Sequence, residues 1–154
     1  MFVLLLLCGC EATITKEQKD YQQYVQQLQE KKAKNFDTKF PFEIEVSIDS
    51  LVEDELVYSV VIDQPKKVMK NVRALVIHDA RTKDIFPSIG ILDESLNLIP
   101  NEVDESKKNV KGIALIGYIQ TKKRVSEFHT NIKVMVLYED EDGNPCRSYY
   151  YTKI

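Results

Sequence analysis

The chain has 154 residues, with 21 Lys and Arg against 24 Asp and Glu, a formal net charge of −3, 44% hydrophobic and 29% charged residues. That length bounds it to one domain with a short appendage. The composition excludes wholesale disorder, and the mild negative charge gives a nucleic-acid partner no electrostatic support.

Phe2 to Leu7 form an apolar run that ends in Leu7-Cys8-Gly9-Cys10. An export signal combines a basic stretch, an apolar stretch of about 7–15 residues and small residues at the cut. Here the run is short and no Lys or Arg precedes it, which points to a start placed too far downstream. An N-terminal strand or a truncated membrane helix are the competing readings, but a spanning helix needs roughly 20 apolar residues. The pattern resembles the lipobox of bacterial lipoproteins, with leucine three residues before the cysteine and a small residue just before it. The resemblance implies that residues 1–9 are a signal peptide and that Cys10 is lipidated on sulfur after cleavage at Gly9. It also implies a protein held on the exported face of a membrane in the cell envelope, its partner there the bilayer itself. Two acyl chains anchor stably where one is marginal, each buried methylene contributing about 0.8 kcal/mol. Cys146 is then the remaining thiol, so stability must come from packing rather than disulfides.

Residues 10–40 are expected to form the lipidated cysteine and a helical tether. Thr15-Lys16-Glu17-Gln18 has the form of a capping box. Tyr21, Tyr24, Val25 and Leu28 follow at helical spacing and make one narrow apolar stripe. That stripe is expected to dock on the domain; a single repeat is far short of a coiled coil.

From Pro41 the hydrophobic period becomes two, and residues 41–154 are expected to be a β-sandwich. Phe42, Ile44, Val46 and Ile48 alternate with Glu43, Glu45, Ser47 and Asp49, the mark of a strand with one buried and one wet face. Residues 55–63 make a second strand. A third, 72–79, is apolar on both faces and therefore expected to be central. Residues 85–87, 89–92 and 96–100 suggest short edge strands before a polar loop, 101–109. Residues 110–120 form a strong strand, and 132–139 with 146–154 form a hairpin whose turn carries Asp142-Gly143, a pair that tolerates positive φ.

About seven strands at regular spacing, with no helical pattern inside the domain, indicate a mainly β, antiparallel sandwich. The region resembles an immunoglobulin-like or fibronectin-type-III-like domain in strand count and spacing. The paired cysteines and core Trp of true immunoglobulin domains are absent.

No motif points to catalysis. His78, His129 and Cys146 are the residues an envelope enzyme, metal-dependent or hydrolytic, would use, but their spacing matches no zinc pattern. Structural histidines are the expectation. Asp140-Glu141-Asp142-Gly143-Asn144 has calcium-like composition, yet Pro145 and a strand interrupt the loop. No nucleophile elbow or glycine-rich phosphate loop occurs. No cofactor, no metal and no catalytic residue are therefore expected. Tyr149, Tyr150 and Tyr151 put an aromatic on each face of the last strand, and tyrosine suits recognition surfaces. Phe86 and Ile89, in an apolar loop, form a second candidate surface. The expected role is binding or scaffolding towards an envelope protein or glycan. The alternatives are the envelope enzyme and a structural subunit that pairs through an exposed strand edge.

Overall fold

The computed structural model describes residues 15–52, 54–80 and 88–154. A helix, α1 (Lys16–Glu30), precedes seven strands: β1 (Glu43–Val52), β2 (Glu55–Asp63), β3 (Met69–His78), β4 (Ser88–Leu98), β5 (Gly112–Gln120), β6 (Asn131–Glu139) and β7 (Pro145–Lys153). All pairings are antiparallel. They build a three-stranded sheet, β1-β2-β5, and a four-stranded sheet, β4-β3-β6-β7. The fold is an immunoglobulin-like β-sandwich, as the alternating pattern and turn spacing led one to expect.

The core lies between the sheets because the period-two pattern turns one face of each strand inward. Leu56, Tyr58, Val60 and Ile62 of β2 meet Val72, Ala74 and Val76 of β3 and Ile132, Val134 and Val136 of β6. Tyr58 is 1% exposed and stands opposite Gly117 of β5. A Cβ at Gly117 would overlap the Tyr58 phenol, so this glycine is the space that the tyrosine occupies.

β3 is central, between β4 and β6, which explains its two apolar faces. Its outer residues Leu75 and Ile77, with Met135 and Leu137 of β6, form a second cluster closed by Leu28 of α1. The Tyr21, Tyr24, Val25 and Leu28 stripe thus docks on the domain, as expected. The helix starts with a reciprocal capping box: Gln18 N donates to Thr15 Oγ1 at 3.3 Å and Thr15 N to Gln18 Oε1 at 2.9 Å.

One expectation needs correction. The region after β3 holds one 11-residue strand, β4, in place of the separate short strands expected at 89–92 and 96–100. A register shift lets it continue: Val72 faces Leu96 while Ala74 faces Ile91. The extra residues, which include Asp93 and Glu94, form a bulge, and their polarity interrupts the alternation on which the sequence reading relied. The 85–87 segment lies outside the described residues.

Candidate interaction surfaces

The last strand does not present its tyrosines freely. Tyr149 and Tyr151 lie on the outer face of the four-stranded sheet, half-buried beneath the segment that follows α1. Phe36 makes an edge contact with Tyr149 and a tilted one with Tyr151. Lys31 Nζ lies 3.8 Å from the Tyr149 ring centroid, a cation–π geometry. The segment is pinned through both backbone and side chain of Asp37: its N donates to Tyr149 O at 2.9 Å, and its Oδ2 accepts from Tyr149 N at 2.7 Å. Tyr150 turns inward, where it packs at the core margin beside Phe40. Ile89 is half-buried against the core. Phe86 and Cys10 lie outside the described residues.

Cys146 is not brought to the histidines. His78 pairs with Ile132 at one end of β6, whereas Cys146 pairs with Tyr138 near the other. Six residues of strand separate those positions by about 20 Å, too far for a Cys–His pair. His78 is 6% exposed and packs edge-on against Tyr58, while His129 is exposed. Among the described residues, no group of three or more His, Cys, Asp or Glu side chains is placed to hold a metal ion.

The acidic hairpin uses its carboxylates internally. Asp140 accepts from the Asn144 backbone at 2.8 Å and the Asp142 backbone at 3.0 Å. The Asn144 hydrogen bonds hold its carboxyl below the ordinary range, against a small opposing effect of burial. Gly143 supplies the positive φ, 82°. At the opposite end, Asp79 ties β3 to β6. Burial alone pushes the Asp79 carboxyl up, but hydrogen bonds from the Asn131 side chain, the Asn131 backbone and Thr130, with the Lys133 charge, outweigh it. The net effect is a carboxyl held below its usual range.

The sequence reading missed the outer face of the three-stranded sheet. Ile116 and Tyr118 of β5 are 55% and 53% exposed. Their neighbours across β2 are Ser59 and Val57. Towards β1 the face becomes polar: Ser47 and Ser59 share a hydrogen bond of 2.7 Å, and Glu43, Glu45 and Asp49 follow the same alternation. The signal lay in 110–120, where both phases are apolar; that was legible as a strong strand but not as one whose outer face lies open.

No family model matches the chain, and no curated protein matches it. Among solved structures, it is similar to the crystal structure of catalytic inactive OgpA from Akkermansia muciniphila in complex with an O-glycopeptide substrate. That similarity has 14% identity and a TM-score of 0.23, and covers 75% of this chain and 29% of that one. At such a score it carries no argument about fold or activity.

Proposed function

We propose that this chain is a lipid-anchored protein of the bacterial cell envelope whose β-sandwich binds or scaffolds a protein or glycan without catalysing a reaction. The observation that supports binding is the open apolar face of β5, where Ile116 and Tyr118 are exposed side by side on a regular sheet. The opposite outer face is sealed by α1, so the molecule has one sheet face committed to its own core and one available. Leu7-Cys8-Gly9-Cys10 supports the anchor, and no helix among the described residues is long and apolar enough to cross a membrane.

The intact mass of the chain from its native membrane, beside a Cys10→Ala variant, tests the anchor. A chain cleaved at Gly9 and carrying lipid, with the variant unprocessed, is the expected result. An unmodified chain starting at Met1 removes the anchor from the proposal. Binding is tested by sedimentation with envelope glycan and by cross-linking on intact cells, comparing the native chain with Tyr118→Ser. Equal capture by both would remove this face from the reading.

A second reading, a structural subunit that pairs through a strand edge, is favoured by the state of one edge.

A further inference from the structure

A sandwich of three and four strands has four edges, and soluble proteins protect such edges with charge, proline, bulges or covering segments. Three edges here carry such protection. β1 bears Glu43, Glu45 and Asp49 and shifts register between Ser50 and Val52. β4 bears Asp93 and Glu94 within its bulge. β7 begins at Pro145, carries Arg147 and Lys153, and is bridged by the Asp37–Tyr149 pair.

β5 has no charge, proline or bulge, and β4, which runs close to it, is not hydrogen-bonded to it. Its sequence, GIALIGYIQ, contains no charge and no proline. All nine residues pair with β2 in unbroken register, so no bulge twists the edge away. The neighbouring chain closes the edge ahead of the strand, where Val110 N donates to Asn97 O at 2.9 Å. Beyond that point, among the described residues, no other element hydrogen-bonds the side of β5 that faces away from β2.

We infer that β5 pairs antiparallel with β5 of a second copy of this chain, about a two-fold axis at Ile116, joining the two three-stranded sheets into one of six strands. The inference deepens the strand-edge reading and rests on it. The case for a second copy is the self-complementarity of the strand, which an isologous contact requires. With Ile116 opposite its own copy, Ala114 faces Tyr118 and Leu115 faces Gly117. Gly112 faces Gln120, and Ile113 faces Ile119. Small residues thus meet large ones on both faces, and no charge meets its like, the arrangement cross-strand pairs favour. The outer-face pairs would flank Ile116 and Tyr118, two of the three large apolar side chains exposed among the described residues, the third being Val103 in the loop ahead of β5.

Cysteine cross-linking of the full chain in detergent, in a Cys146→Ser background at about 100 μM to allow for a small interface, tests this register. Ile116→Cys is expected to give a disulfide-linked dimer. Ala114→Cys alone is expected to give none, and to cross-link when mixed with Tyr118→Cys. The background variant alone is the control. Amide exchange across 113–119 is expected to speed up on dilution, which separates edge pairing from stacking of the two faces. Ile116→Lys, a solvent-face change that leaves the core intact, is expected to shift sedimentation to a single-chain mass, with a thermal midpoint equal to that of the native chain diluted until it too is single.

A single-chain mass for the native protein, or cross-linking of Ala114→Cys to itself, overturns the inference. A photo-crosslinking residue at position 116 in the native membrane then separates the two levels. Capture of a different protein keeps the strand-edge reading and replaces the second copy. Capture of nothing overturns both.

Discussion

Lys133 of β6 donates from Nζ to the carbonyl oxygen of Leu28 at 3.1 Å, and the Leu28 side chain is wholly buried on the same sheet. The same ammonium reaches Gln29 O at 3.0 Å and Lys31 O at 3.1 Å. The last turn of α1 has no basic residue of its own. A cation is favourable at the negative end of a helix, where the final carbonyls lack intrahelical partners. One residue of the sheet therefore both caps the helix and fixes its seat.

Replacing Lys133 by Met keeps most of the aliphatic stem and removes those three bonds. The expected loss is about 1–2 kcal/mol, in the range of helix-terminus and charge-assisted contacts. Urea unfolding checks the loss. Limited proteolysis should cut first within residues 16–31 if the cap is what seats the helix.

Leu28→Ala is expected to cost more, about 2–4 kcal/mol, because it leaves a cavity over Leu75, Ile77, Met135 and Leu137. Increased binding of an apolar dye would report the opened face. Combining it with Lys133→Met should cost less than the sum of the two, since either change unseats the same helix.

Gly117→Ala tests the core beneath β5. The added methyl would overlap the Tyr58 phenol, and overpacking of this kind costs about 1–3 kcal/mol. Tyr58→Leu on its own leaves a cavity and loses stability as well. The double variant should recover part of the combined loss, with thermal unfolding as the readout. Simple additivity would mean that the two positions do not share space.

Asp79 sets an acid limit. Its folded carboxyl titrates below the ordinary range because, despite burial, Asn131 and Thr130 hydrogen-bond to it and Lys133 lies near. A lowered folded pKa means stability that is present above the unfolded value, about 3.9, and lost as pH falls through the folded one. Unfolding free energy should therefore drop more steeply below about pH 4 in the native chain than in Asp79→Asn. Parallel curves would show that other carboxyls carry the acid transition.

Much of the architecture was legible in the residues. Phe42 to Ile48, 55–63 and 132–139 announce their strands because alternating side chains project to opposite faces. Thr15 and Gln18 marked the helix start because a capping box is closed by groups three residues apart. β4 was misread because its register shift depends on β3, and no local pattern encodes how a bulge is absorbed by a neighbouring strand. Tyr149, Tyr150 and Tyr151 showed the same limit. Alternation assigned their faces correctly, but what covers them is Phe36, Lys31 and Phe40, more than 100 residues earlier in the chain.

The sequence alone thus determined the elements, the buried phase of most strands and the mainly β class, all of which follow from local periodicity. Tertiary structure decided what periodicity cannot address. It placed α1 on β3 and β6, spent Tyr149 and Tyr151 on the segment that follows the helix and Tyr150 on the core margin, and left β5 as an edge without charge, proline or bulge. Strand order is a matter of long-range pairing, and whether an apolar face is core or surface depends on which distant segment comes to lie over it.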